Sequence, residues 1–520
     1  MRRHAFFIGL FVFVAAARFA ILFASQTHVH SDEAIIGLMA KHILEGRHYP
    51  FYMYGQPYNA GAALEAYVAS IAFAAFGVGV VPLKGCIVVL SLVCLFLFYR
   101  MGCALYDRRT SLFATVAFAL TPSLLKWHFQ VRGYSWYFLS IPVLTLLFAA
   151  IESSSVPKRS TSLLFGLASG LSIWCLELVV PLVAALWLLL ILRRRISLSS
   201  ASTALIGFLV GYAPVIVFNL THHFSNWRYV VLERPGGGFS ALFELSSWRR
   251  IFLDEMPKFF GTDTVLWYYP EKPAVGYVFY AIALIALGVG IWPFVKSPGK
   301  ILRAIRGDLA DPQQGSDFNM VVLTAASFVP YLSQVPGVPS YFFGACFFLS
   351  MLTGRILERG FASSMPLPRL GAAAAIAVLL AVGIFVHVRV GQTNQIETLS
   401  LCEDRRTYCM VRIPSADIEG VERDLKQHSL TSVWTTISFI YPLLFESGET
   451  LAVSNEIFDR PFRVYPDDIQ WREPKRDREA AFVVETNAPI RSLLEMRCEQ
   501  IFGSPPLARE YGKLTVMTNR

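Results

Sequence analysis

Charge is scarce in this chain: Asp, Glu, Lys and Arg make up 16% of its 520 residues, against 54% hydrophobic ones. That balance excludes a soluble globule, because apolar runs long enough to span lipid recur along the sequence. A disulfide framework is also lacking. Of eight cysteines, Cys86, Cys94, Cys103, Cys175 and Cys346 fall inside apolar runs, where cysteine acts as a small hydrophobe. Cys402, Cys409 and Cys498 lie in a polar tail, where an oxidising compartment permits one disulfide, Cys402 with Cys409, and leaves an odd thiol. No Cys/His spacing resembles a zinc site, and there is no internal repeat or low-complexity tract. The formal net charge of +9 comes in short clusters between apolar runs and not on one face, which argues against nucleic acid as a partner.

Those clusters are Arg2 and Arg3; Arg100, Arg108 and Arg109; Lys158 and Arg159; Arg193, Arg194 and Arg195; Lys296, Lys300, Arg303 and Arg306; and Arg355, Arg359 and Arg369. By the positive-inside rule they mark cytoplasmic helix ends. Placing them all inside predicts eleven spans, at 5–25, 80–103, 110–125, 133–151, 161–176, 178–193, 201–220, 276–295, 319–334, 340–357 and 370–390. Each is near the ~20 residues a helix needs to cross, or somewhat short of it. The N-terminus is then inside and the C-terminus outside. The pair between Thr161 and Arg193 shares one short run, and losing a helix there would reverse everything downstream. The first span reads as a retained anchor, its length and embedded Arg18 speaking against a cleaved signal peptide. Arg18 is either a snorkelling side chain or a counter-charge for a lipid phosphate or an acid.

The exported loop after the first span carries HSDEAIIGLMAKHILEG, His30 to Gly46. Ser31 suits an N-cap, Ile35, Leu38, Met39 and Ile43 recur at helical spacing, and Gly46 stops the helix. One greasy face predicts a helix lying along the membrane. A second surface helix runs from Ala62 to Phe76, too short to cross. The turn-rich FYMYGQPYNAG between them suits either a substrate-facing loop or an aromatic interface belt.

A second exported loop, 219–275, is long enough to expect function. Its FSALFELSSWRRIFLDEMPKFF portion is amphipathic, with Arg249, Arg250 and Lys258 placed for lipid phosphates. From residue 392 the composition turns polar. The expected order there is a helix at DIEGVERDLKQHSL, a strand at SVWTTI, apolar FIYPLLFES, strands at ETLAVSN and AAFVVET, a helix at PIRSLLEMRCEQ and a last strand at KLTVMTN. The fold class is therefore a polytopic α-helical membrane protein, residues 1–391, followed by a small exported α/β domain, 392–520.

The portion from Ala5 to Ile151 resembles the C-type (GT-C) integral-membrane glycosyltransferases, family 39 in particular, with its protein O-mannosyltransferases and lipid A aminoarabinose transferases. The resemblance lies in a basic start and one span, the DE pair opening HSDEAIIGLMAKHILEG, the surface helix GAALEAYVASIAFAAFG, the YDRR turn and LTPSLLKWHFQVRGYSWYF. Two departures remove cations. GQPYNAGAALEAY replaces a Lys-Pro-Pro element, and PSYFFGACF, with Ser340, replaces an Arg-Tyr-Leu-Leu-Pro element.

The resemblance implies a sugar donor linked through phosphate to a polyprenyl chain, and an acceptor hydroxyl on a lipid, protein or polysaccharide that attacks from the exported side with inversion. Such chemistry needs a base near the acceptor and positive charge near the leaving phosphate. Asp32 is the expected base, ionised at neutral pH. Glu33 is expected to position acceptor or metal; the alternative for both acids is pairing with the helix dipole. Arg132, at the outer mouth of a span, is the expected phosphate ligand, since a guanidinium fork suits phosphate oxygens. Lys126 and His128 lie in the same turn and could add charge. Gln56, Tyr58 and Glu65 are candidates for substrate binding. The sequence identifies no cofactor, and a divalent cation fits the reading.

Two other functions fit the composition. A transporter or flippase of polyprenyl-linked sugars would show polar groups near the midplane and two similar halves. A non-catalytic interaction protein would use the tail to hold a partner.

Overall fold

The computed structural model describes residues 5–233, 243–257, 260, 274–333, 343–401, 408–455, 464–466, 469, 471–474, 479–488 and 491–519. Every predicted span coincides with a helix. They are α1 (Ala5–Ser25), α4 (Val80–Leu105), α5 (Arg108–Leu120), α6 (Tyr134–Glu152), α7 (Arg159–Cys175), α8 (Val180–Leu192), α9 (Leu198–Thr221), α10 (Ala274–Val295), α11 (Pro312–Ser333), α12 (Phe343–Ala362) and α13 (Pro366–Gln392). The two surface helices are α2 (Ser31–Leu44) and α3 (Ala60–Phe76). Among the described residues, six helices are long and apolar enough to cross a membrane by length and composition alone.

Local chemistry sets the helix ends. Asp107 caps α5, accepting from the N–H groups of Arg109 (2.8 Å) and Thr110 (3.0 Å), as an N-cap carboxylate does. The run from Thr161 to Arg193 does split in two, with Glu177–Val179 as the turn between α7 and α8. Four glycines seat α7 against α9. A Cβ on Gly166 or Gly170 would meet the Ala204 or Phe208 carbonyl oxygen at 1.8 and 2.3 Å. One on Gly207 or Gly211 would meet the Leu163 or Leu167 carbonyl oxygen at 2.2 and 2.3 Å. Two facing small-xxx-small motifs thus let the backbones touch, the usual way helices pack in lipid.

Two expectations are corrected. Arg18 neither snorkels nor meets an acid: it is fully buried and donates to Ser91 Oγ at 2.7 Å. Helix α2 does not lie bare on the membrane. Its Ile35, Ile36, Leu38 and Met39 are buried against α3 and against a helix of the C-terminal part.

That part begins at Gln395, directly after α13. Strands β1 (Gln395–Leu401) and β2 (Tyr408–Pro414) pair antiparallel and lead into α14 (Ser415–Gln427). A mixed five-stranded sheet follows, ordered β4-β3-β5-β7-β6, from β3 (Ser432–Thr435), β4 (Ala452–Ser454), β5 (Ala480–Glu485), β6 (Leu507–Tyr511) and β7 (Leu514–Thr518). Strands β3, β4 and β5 run parallel, and β6 and β7 antiparallel to their neighbours. Helix α16 (Arg491–Phe502) covers one face. The apolar FIYPLLFES segment becomes α15 (Ile437–Glu446), which packs on α2. Phe445 lies so close that a Cβ on Gly37 would fall 2.6 Å from its ring. Ser31 Oγ donates to Ser438 O (2.8 Å), and Glu446 accepts from the Val29 N–H (3.1 Å). The C-terminal part therefore shares one apolar core with α2 and α3. Cys402, the proposed disulfide partner, lies outside the described residues, as do Lys258 and Ser340.

Candidate active site

The site is built on the loop that enters α6. Its residues Val131 to Ser135 offer backbone N–H groups that no helix satisfies, and two buried carboxylates take them. Glu33 Oε1 accepts from Val131 N–H at 3.2 Å, and Glu65 accepts from Gly133 (2.7 Å) and Ser135 (3.0 Å). Alternate residues on either side of Arg132 are thus tied down, one to α2 and two to α3. Asn59 Nδ2 adds a bond to Arg132 O at 3.2 Å.

Close packing explains two glycines here. Gly133 has φ +86°, and a Cβ on it would fall 2.2 Å from Asn59 Oδ1. A Cβ on Gly61 would fall 2.0 Å from the Gly133 carbonyl oxygen. Only hydrogen at both places lets the loop lie against α3.

These contacts revise the roles of the two glutamates. Glu33 is 1% exposed, and its Oε2 accepts from its own cap's N–H, that of His30, at 3.1 Å and faces Lys84 Nζ at 3.2 Å. Its oxygens bond to two backbone amides and a buried cation, which ties the Val131 end of the loop to α2. Glu65 is fully buried, and burial pushes its pKa up to about 7 against the lowering effect of the Gly133 and Ser135 N–H groups. Its two bonds brace the loop against α3.

Asp32 differs. It is half-buried on the first turn of α2, and its carboxylate has no hydrogen bond or ion pair with any described residue. The N-cap is His30, not Ser31 as the sequence suggested. His30 Nδ1 accepts from the Asp32 N–H at 3.1 Å, while its Nε2 lies 2.9 Å from Arg132 Nε. Asp32 and Arg132 therefore flank one imidazole. Both bonds ask that ring for a lone pair, and a neutral imidazole has one acceptor nitrogen. The two bonds therefore compete for it. Arg132 also lies over the Trp127 ring, 5.6 Å from its centre, a cation–π contact that holds the guanidinium in place.

The remaining candidates separate from this pair. His128 is buried with neither ring nitrogen hydrogen-bonded, and burial holds its pKa well below the usual histidine value. A neutral ring of that kind adds no positive charge for a phosphate. Lys126 opens the short turn 126–128, and its side chain lies outside the described residues. Tyr58 stacks on Tyr229, the rings parallel and 4.6 Å apart, and Asn226 Nδ2 donates to Pro57 O at 2.7 Å. The segment after α9 thus packs on the segment holding Tyr58 and Gln56. The backbone N–H of Gln56 donates to Met53 O, closing a turn.

Sequence reasoning missed His30 and Lys84. A lone lysine four residues into the apolar run VVPLKGCIVVL is the signal that could have found Lys84, since an intramembrane cation implies a buried partner. Among the described residues, one group could hold a metal ion: His28, Glu422 and Glu446, at the seam with the C-terminal part and not at Glu33.

No family model matches the chain, and no curated protein matches it in sequence. Solved structures do match in fold. ArnT from Cupriavidus metallidurans bound to undecaprenyl phosphate is 12% identical, with 99% of this chain and 98% of that one covered, at a TM-score of 0.61. Its apo form matches over the same spans at 0.60. The mycobacterial arabinofuranosyltransferase AftD is a looser match at 0.48, with 98% of this chain and 40% of that one covered and 13% identity. The chain has the fold of a GT-C-like membrane glycosyltransferase over its whole length.

Proposed function

We propose that this protein transfers a sugar from a polyprenyl-phosphate donor to an acceptor hydroxyl on the exported side of the membrane, with inversion. One observation carries the reading: the backbone N–H of Asp32, whose carboxylate has no partner among the described residues, and the Arg132 guanidinium both bond to the His30 imidazole. The full-length fold match to a transferase crystallised with undecaprenyl phosphate supports it.

In this mechanism the donor phosphate displaces His30 from Arg132, and the guanidinium fork takes two phosphate oxygens. The acceptor oxygen bonds to the anomeric carbon as the bond from that carbon to the phosphate oxygen breaks. Asp32 takes the hydroxyl proton, and the electron pair leaves with the polyprenyl phosphate, whose charge Arg132 offsets. Glu33 and Glu65 hold the loop, and the C-terminal part clamps α2. By the positive-inside rule the Arg and Lys clusters support an orientation with this face on the exported side, and the proposed location is the bacterial plasma membrane.

Turnover of purified protein with a panel of polyprenyl-phosphate sugars tests this. Asp32→Asn should lower the chemical step by about 10²–10⁴-fold, and Arg132→Ala should chiefly weaken donor use. Normal turnover by Asp32→Asn removes it as the base, and lipid movement without sugar transfer replaces this reading with a flippase.

A further inference from the structure

A cavity of about 510 Å³ lies where the C-terminal end of α2 meets the turn after α15, within the ~300–1,000 Å³ typical of small-molecule sites. Both halves of the protein build it: Lys41 and Arg47 from the membrane part, Glu449, Tyr465, Trp471 and Arg472 from the C-terminal part. Its floor is fixed by one carboxylate. Glu449 accepts from Lys41 Nζ at 2.6 Å, from Tyr465 OH at 3.0 Å and from Arg47 Nη1 at 3.3 Å, and it faces His42 Nε2 at 3.2 Å. Burial alone would raise its pKa, but the contacts with His42 and Lys41 hold it far below the usual carboxylate range. Lys41 Nζ also reaches Gly448 O at 2.9 Å, and Arg47 pairs with Glu45 at 3.1 Å.

Two features give the cavity a chemistry. The Tyr465 and Trp471 rings meet edge to face, 5.2 Å apart at 80°, so the wall offers flat apolar surface next to fixed donors and acceptors. Arg472 stands exposed on the wall with no hydrogen bond or ion pair to any described residue. A lipid tail is a poor match for such a wall, because the charged floor would lose its water. A sugar ring matches it, presenting C–H faces to the aromatics and hydroxyls to the polar groups, and an acid on the ring would pair with Arg472.

We propose that this cavity binds an acidic saccharide, the glycan part of the acceptor. The assignment rests on the transferase reading for the word acceptor, but not for the binding itself. Lys41 is nine residues beyond Asp32 on α2, about 14 Å along the axis at ~1.5 Å per residue, a span that a short oligosaccharide bridges. The C-terminal part would thus supply specificity at a distance from the chemistry.

The test is binding to the full chain in nanodiscs, with trigalacturonate as the acidic probe and maltotriose as the neutral one of equal length. Trigalacturonate should bind, maltotriose at least tenfold more weakly. Arg472→Gln should lower affinity for trigalacturonate about tenfold, and Trp471→Ala should weaken both probes. Asp32→Asn should bind both as the wild type does. The proposal fails if neither probe binds, if both exposed-wall variants bind unchanged, or if inorganic phosphate competes as well as trigalacturonate, which would make the site an anion trap. Binding without any sugar transfer would overturn the transferase reading alone; donor turnover without binding would overturn this inference alone.

Discussion

Replacing Glu33 with glutamine separates a structural acid from a chemical one. In the native site the carboxylate balances Lys84, whose own exposure is 3%, and satisfies the N–H groups of His30 and Val131. Glutamine offers one carbonyl where two oxygens are needed and turns an NH2 toward a backbone donor or toward Lys84. Removing one partner of a buried ion pair costs about 3–5 kcal/mol, a large share of the ~5–15 kcal/mol that holds a domain together. Pairing the change with Lys84→Met removes the stranded charge, so the double variant should recover all but ~1–3 kcal/mol, the cost of the amides left imperfectly bonded. Thermal unfolding of the solubilised protein, with and without the second substitution, reads this directly. The reasoning is refuted if Glu33→Gln unfolds like the wild type while its turnover disappears, because the carboxylate would then act on substrate.

Other consequences follow from the same contacts. Gly133→Ala should disorder the Arg132 loop, since its Cβ would fall 2.2 Å from Asn59 Oδ1 at a φ of +86°; loss of donor binding together with faster proteolysis near residue 132 would show it. Gly207→Leu should separate α7 from α9, with their cross-linking through engineered cysteines as the readout, because Leu163 O lies 2.2 Å from the added Cβ. The seam between α1 and the C-terminal part should loosen as pH rises. Burial alone would lower the His28 pKa, but its bond to Glu446 and the charges of Glu446, Glu422 and Glu419 raise it. Burial and the neighbouring Glu446 charge push Glu422 up to about 7. Both groups hold a proton more tightly when docked, so their contribution is present in mild acid and lost as pH climbs through their docked values. Hydrogen exchange in residues 437–446, corrected for intrinsic rate, should be faster at pH 8 than at pH 6; equal protection would contradict this.

The sequence was readable where one segment decides its own structure. Apolar runs bounded by basic clusters located the eleven helices that coincide with the predicted spans, and Gly46 and Gly77 marked the ends of α2 and α3. The C-terminal order was legible for the same reason, apart from the β1–β2 hairpin and edge strand β6. Those strands are arms of local hairpins, as when Leu507 opposes Thr518, and β1 and β6 mix polar with apolar residues, so that neither carries a clear strand pattern of its own. Burial of α2 was invisible because a greasy face does not say whether lipid or protein will cover it; here Phe445, some four hundred residues away, does. The DE pair drew attention to α2, but proximity in sequence concealed different surroundings: Glu33 is sealed against Lys84, whereas the Asp32 carboxylate has no partner among the described residues. Cap chemistry also misled, since Ser31 is the commoner N-cap residue yet His30 takes that place and joins Asp32 to Arg132.

The central claim is that Asp32 and Arg132 face one hollow that receives a lipid phosphate. A structure of the protein with a bound short-chain polyprenyl phosphate tests it most directly. The account predicts the phosphate on the Arg132 guanidinium, His30 released from that side chain, and the Asp32 carboxylate across an open space large enough for one sugar. A phosphate bound elsewhere, with the His30 to Arg132 bond intact, would contradict it.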